Sequence, residues 1–146
     1  MVDVKFKKLD ERAVLPAYAH PGDVGMDLRA ILDGPVTLRP FERILIHTGL
    51  AMESPEGYEA QIRTRSGLAL KHAVVVLNSP ATIEHTYRGE VGVILINLSN
   101  EPFTINPNER VAQLVIKRCE TVNTSWVEEL SDTERGTSGF GSSGLQ

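Results

Sequence analysis

The densest anion-binding chemistry in the chain lies near its C-terminus, in Arg135, Gly136, Thr137, Ser138, Gly139, Phe140, Gly141, Ser142, Ser143 and Gly144. Successive backbone N–H groups of a glycine-rich loop can wrap a polyphosphate, the hydroxyls add donors, and Arg135 adds charge. The run GFGSSG satisfies the G-x-G-x-x-G spacing, but a dinucleotide fold needs a strand before it and a helix after, and only Leu145 and Gln146 follow. A lone aromatic among glycines has another use, because Phe140 can stack on a base whose phosphates the neighbouring amides hold. By composition alone the same stretch reads as a disordered tail. A second anion-binding segment runs from Arg63 to Ala69, where a strand gives way to a short helix. It offers the Arg65 guanidinium, the Ser66 hydroxyl and the free amides of a helix start beside Gly67. On its own Ser66 reads as an N-cap.

Three further segments supply carboxylates and amides. PGDVGMDL, residues 21–28, is a turn feeding a strand and presents Asp23 and Asp27. Carboxylates near a triphosphate commonly hold Mg²⁺ through retained waters, whereas Asp23 alone is an ordinary turn residue bonding nearby backbone. NSPATIEHTYRGE, residues 78–90, reads as a hairpin and its following turn. It carries Asn78, an amide able to read a base edge, Glu84, a carboxylate able to take a proton from water, and Tyr87, an aromatic plate. Arg88 and Glu90 read as an exposed or intersubunit ion pair, and His85 as an exposed turn residue. In NERVAQL, residues 108–114, strand alternation puts Gln113 on the same side as Val111, so its carboxamide needs a partner.

The elements that must position these groups are short, alternating or apolar, and separated every 8 to 12 residues by Gly, Pro, Asn or Asp, the pattern of a β-sandwich or barrel. Strands are expected at Val4–Lys8, Gly25–Arg29, Val36–Leu38, Glu42–His47, Leu50–Met52, Tyr58–Thr64, Val74–Leu77, Gly92–Asn97, Phe103–Ile105 and Arg110–Arg118, with one short helix at Ser66–Lys71. Val91 to Leu98 is apolar at nearly every position, so both faces of that strand need cover, and a neighbouring subunit can supply the second. After Trp126 the composition turns to Gly, Ser, Thr and charge. The expected organisation is an all-β domain over 1–130 and a C-terminal arm over 131–146.

At 146 residues there is material for one core. The net charge of −4 argues against broad nucleic-acid binding, while ten arginines against five lysines suit bidentate phosphate contacts. The single cysteine, Cys119, excludes an internal disulfide framework and reads as a small core residue on a strand. No stretch has the roughly 18 apolar residues of a membrane span, and the N-terminal residues lack the apolar run of a secretory signal. A soluble, cytoplasmic protein is expected.

Taken together and in order, PGDVGMDL, RSGLALKH, NSPATIEHTYRGE, ERVAQLVI and RGTSGFGSSG resemble the five motifs of the trimeric dUTPase family, and the resemblance covers nearly the whole chain. It implies a distorted jelly-roll subunit, a homotrimer with shared sites, and Mg²⁺-assisted hydrolysis of dUTP to dUMP and pyrophosphate, limiting uracil in DNA. It implies further that Asn78 and the hairpin backbone around Ile83 recognise uracil, that Tyr87 stacks beneath the deoxyribose and excludes a 2′-hydroxyl, and that Arg65, Ser66, Gly67 and Gln113 contact phosphates. Asp27 would bind Mg²⁺ through water and Glu84 would activate the attacking water. The arm of another subunit would close with Phe140 over the base and Arg135, Gly141, Ser142 and Ser143 at the phosphates.

The chain departs from the family at a sensitive place, with Glu84 where Asp is usual and Ala81 where Gly is usual; Met26 and Ser138 replace an aromatic and a glycine. Glutamate keeps the charge but reaches one methylene further, and a displacement of about 1 Å can cost on the order of 100-fold in rate. Ala81 tolerates a positive φ less readily than Gly and would bias the turn. Two other readings remain open at this point: a nucleotide-binding regulatory homologue without turnover, and a dCTP deaminase.

Overall fold

The computed structural model describes residues 1–145. In chain order the elements are β1 (Lys5–Lys8), β2 (Gly25–Arg29), β3 (Val36–Leu38), β4 (Arg43–Glu53), β5 (Tyr58–Arg63), α1 (Ser66–His72), β6 (Val74–Val76), β7 (Ala81–Ile83), β8 (Glu90–Asn97), β9 (Phe103–Ile105) and β10 (Arg110–Arg118). They form two four-stranded antiparallel sheets, β1-β4-β8-β6 and β2-β10-β5-β7, and a two-stranded ribbon β3-β9. This is the expected all-β, jelly-roll-like architecture. No described helix is long and apolar enough to cross a membrane.

Period-two alternation builds the core. Val91, Val93 and Leu95 of β8 point inward to meet Ile46 of β4, Leu28 of β2, Ile62 of β5 and Leu114 of β10 in one buried cluster. Each fully buried side chain of this size contributes about 1.5–3 kcal/mol by leaving water. Among the described residues the one buried side-chain amide, Asn97, is fully engaged: its Nδ2 donates to the Leu38 and Glu101 carbonyls, and its Oδ1 accepts from the Ser99 amide and hydroxyl. On the opposite face of the same sheet Ile94 and Ile96 are only half-buried, and Leu45, paired with Ile94, is exposed.

Several local features differ from the sequence expectation. The two strands expected on either side of Gly49 are one, because β4 runs on through a bulge with Gly49 at φ 67°. A three-residue strand, β7, was hidden inside the segment read as a hairpin. Ala81 lies in that strand opposite Ile62, so no positive φ is asked of it and it does not bias a turn. Cys119 is exposed just past β10, its amide donating to the Gly57 carbonyl, rather than buried on a strand. Beyond Arg118 the described residues form no helix or strand, and Trp126 and Phe140 are fully exposed. The expected arm, 131–146, falls within this stretch, with Gln146 outside the described residues.

Candidate active site

The second sheet gathers the phosphate-type residues. Asp27 of β2 and Arg63 of β5 flank Gln113 of β10 in register, so the three lie in one row across the sheet. Gln113 is half-buried and donates from Nε2 to the Thr64 carbonyl at 3.0 Å. Its carboxamide oxygen occupies the space where a side chain on Gly25 would have to go. A bulge at Val111 interrupts the alternation of β10, so Val111 is buried while Gln113 is not, contrary to the expectation that they share a side. Asp27 is bridged by two guanidinium groups, Arg65 Nε at 3.1 Å and Arg110 Nη1 at 3.3 Å. Arg65, not Ser66, is the N-cap residue of α1, with φ −78° and ψ 131°, and it makes no side-chain cap bond. Ser66 and Gly67 therefore open the helix, where backbone amides have no intrahelical partner. Asp27, Arg65, Ser66, Gly67 and Gln113 line one concavity of about 380 Å³ with Asp23 and Gly25 at its edge. Asp23 makes the turn bond expected of it, accepting the His20 amide at 2.8 Å.

The residues expected from the sequence to read the base meet elsewhere. Asn78, Ala81, Ile83, Glu84 and Tyr87 line a second concavity of about 390 Å³, walled by Leu45 of β4 and Ile94 of β8. The Tyr87 amide donates to the Glu84 carbonyl at 3.0 Å, closing a turn that carries both side chains. The Tyr87 ring folds back over Gly89, where any Cβ would lie 2.9 Å from ring Cε2 and closer still to the hydroxyl. Its hydroxyl donates to the Glu90 carbonyl at 3.0 Å, leaving the half-exposed ring free on its outer face. Among the described residues nothing engages the Glu84 carboxylate. Within one chain Arg88 and Glu90 do not pair: Arg88 donates to the His85 and Tyr87 carbonyls, and Glu90 accepts from His47 and the Gly49 amide.

The two concavities share no lining residue, and Arg135, Phe140, Gly141, Ser142 and Ser143 line neither. A single chain thus brings together Asp27, Arg65, Ser66, Gly67 and Gln113, separately brings together Asn78, Ile83, Glu84 and Tyr87, and leaves the arm residues apart. A third concavity, about 600 Å³, holds none of these residues. It carries instead the Asp10–Arg12–Asp33 ion-pair cluster, in which hydrogen bonds from the Arg12 side chain, and then its amide, lower the Asp10 pKa from 3.8 to about 2.

The dUTPase family model matches residues 11–144. The chain belongs to the dUTPase family. A deoxyuridine 5′-triphosphate nucleotidohydrolase of Hydrogenobaculum sp. is 56% identical over 140 residues, covering 96% of each chain. The dUTPase of Staphylococcus bacteriophage 80alpha with dUpNHpp superimposes with a TM-score of 0.88 at 30% identity, covering 98% of this chain and 99% of that one. A mutant dUTPase from phage phi11 of S. aureus, described with a structural Mg(II) ion, superimposes with a TM-score of 0.80 at 26% identity, over 89% of this chain and 99% of that one.

What sequence reasoning missed are contacts that support the predicted site residues. Gly89 beneath Tyr87 sat in the motif without a stated purpose, and the His47–Glu90 contact spans 43 residues, beyond any local pattern.

Proposed function

We propose that the chain hydrolyses dUTP to dUMP and pyrophosphate, within a homotrimer whose sites are each assembled from different subunits. The observation that carries the reading is the dUTPase family match over residues 11–144, which spans both concavities and the arm. Assembly from several subunits follows from the separation of the base and phosphate concavities, since one ligand must reach residues that one chain keeps apart. The apolar outer face formed by Leu45, Ile94 and Ile96 supports it, because such a face on a central strand calls for a partner.

In this reading uracil enters beside Asn78 and the backbone around Ile83, and the deoxyribose rests on the free face of Tyr87. A 2′-hydroxyl would press against that ring without a hydrogen-bond partner. Arg65, Ser66, Gly67 and Gln113 hold the phosphates. Arg65 leaves Asp27 to do so, a modest exchange because both partners are part-exposed. Among the described residues no cluster of three or more metal-ligating side chains exists. Asp27, with Asp23 in the same concavity but no further carboxylate, fits a Mg²⁺ ion held mainly by phosphates and waters. When bound, Mg²⁺ would neutralise charge developing on the phosphate oxygens. Glu84 accepts a proton from water as the water oxygen bonds to the α-phosphorus, and the bond from that phosphorus to the bridging oxygen breaks, its electron pair leaving with pyrophosphate. Arg135, Gly141, Ser142 and Ser143 close over the phosphates and Phe140 over the base, excluding bulk water.

The test is pyrophosphate release with Mg²⁺ and dUTP, dCTP, dTTP or UTP, comparing wild type with Glu84→Gln. Turnover confined to dUTP and reduced by about 10²–10⁴ in the variant is expected for loss of a general base. Equal rates in both proteins would remove Glu84 from the role. Tight dUTP binding without turnover in the wild type would instead identify a non-hydrolysing homologue, the outcome that the longer Glu84 side chain makes worth separating.

A further inference from the structure

β4 and β8 lose register beside the base concavity. His47 lies opposite Gly92 and Ala51 opposite Glu90, so four steps along β4 face only two along β8. The slack collects at Gly49, whose left-handed backbone is packed so closely on Asp10 and Ala13 that a Cβ would lie 2.9 Å from one and 3.1 Å from the other. There side chains bridge the ladder: the Thr48 hydroxyl donates to the Val91 carbonyl, Glu90 Oε1 accepts the Gly49 amide at 2.8 Å and Glu90 Oε2 takes His47 Nδ1 at 2.8 Å. A carboxylate only accepts, so the imidazole donates from Nδ1. Held by the Gly49 amide alone, the carboxylate would still turn about its Cγ–Cδ bond; the second bond fixes its plane. The backbone of the same residue is what Tyr87 leans on, because the Tyr87 hydroxyl donates to the Glu90 carbonyl. His47 and Glu90 also form the partition between the base concavity and the neighbouring one.

We infer that His47 is a positioning residue for the loop bearing Glu84 and Tyr87: by fixing the Glu90 carboxylate across the β4 bulge it holds the Tyr87 ring at the height that separates a deoxyribose from a ribose. The inference rests on the assignment of Tyr87 as the sugar plate. His47 itself needs no contact with the nucleotide. Its effect passes through Glu90, and it is therefore expressed in selectivity and KM before it reaches the chemical step.

The experiment compares kcat/KM for dUTP with kcat/KM for UTP in wild type, His47→Ala and His47→Asn, with melting temperatures measured alongside. Asparagine places an N–H where Nδ1 stands. His47→Ala is expected to lower the dUTP-to-UTP ratio by about 3- to 10-fold, the range of one lost hydrogen bond, chiefly through a higher KM for dUTP, while His47→Asn recovers most of it. The His47 side chain is 59% exposed, so the alanine variant is expected to fold; His47→Ser removes the same reach and serves if it does not. An unchanged ratio in His47→Ala would overturn the inference. So would asparagine as poor as alanine, or a fall in kcat that tracks the melting temperature with KM unchanged. A wild type that does not turn over dUTP removes the functional reading and this inference with it, whereas a wild type that hydrolyses dUTP, rejects UTP and keeps that ratio in His47→Ala removes this inference alone.

Discussion

Gly25→Ala separates what the fold needs from what the ligand needs. Gly25 sits in β2 without a positive φ, so alanine meets no backbone strain there. The new Cβ would overlap Gln113 Oε1 and lie 3.1 Å from Cδ and 3.3 Å from Cβ of the same side chain. A flexible glutamine escapes such an overlap by rotating, and in doing so gives up its bond to the Thr64 carbonyl. That loss is about 0.5–1.5 kcal/mol, and replacing a strand glycine returns roughly 0.5–1 kcal/mol. The two nearly cancel, and the melting temperature should move by only a few degrees. Phosphate binding has no such compensation: a displaced Gln113 forfeits a hydrogen bond to a charged oxygen, about 1.5–3 kcal/mol or on the order of 10- to 100-fold in kcat/KM for dUTP. The assay is steady-state kinetics on wild type, Gly25→Ala, Gln113→Ala and the double variant. Because both changes act through one side chain, the double variant should be no worse than Gln113→Ala. Full additivity, or a Gly25→Ala protein destabilised by more than about 3 kcal/mol, would refute the reasoning.

Gly89→Ala should lift the Tyr87 ring from its seat and lower the preference for dUTP over UTP, measured as the ratio of the two kcat/KM values; a preserved ratio would mean that the ring finds another support. Deleting residues 131–146 should leave the melting temperature nearly unchanged, because the described residues there pack on nothing, while kcat/KM for dUTP falls at least about tenfold through loss of closure. Asp10→Asn should be less stable than wild type at neutral pH. Its carboxyl is depressed in the folded state, from 3.8 to about 2, so its contribution is present above about pH 4 and lost as pH falls through about 2. Melting curves at pH 7, 4 and 2 should show the gap between the two proteins close only over the last interval.

The bounds of β2, β3, β9 and β10 were legible to the residue, helped by the Gly, Pro, Asn and Asp punctuation around them and, in β2, by strict period-two burial. Where the structure departs from alternation the sequence misled. Val111 and Gln113 share a side in a regular strand, and only the bulge opposite β2 separates them. Gly49 reads as a break between two strands, although its left-handed backbone lets one strand continue. The grouping of the proposed site residues was legible because each lies in a short stretch of distinctive chemistry, and the structure gathers those stretches into two concavities. Their supports were not: Arg110 on Asp27, Gln113 on Thr64 and His47 on Glu90 join positions 43 to 83 residues apart.

If the arm closes over the nucleotide as proposed, the exposure of Phe140 and its glycine-rich neighbours in the free chain bears on how a turnover ends. Fixing the ten residues from Arg135 to Gly144 costs on the order of 10 kcal/mol in chain freedom, and one stacked aromatic returns only about 1–3 kcal/mol. The remainder must come from the oxygens of an intact triphosphate still joined to its base. Cleavage divides that ligand into two fragments, one keeping the ring and the other most of the charge. Neither alone sustains the arrangement, so the cover dissolves as a result of the reaction it sheltered, and the emptied cleft is returned to solvent without a separate opening signal.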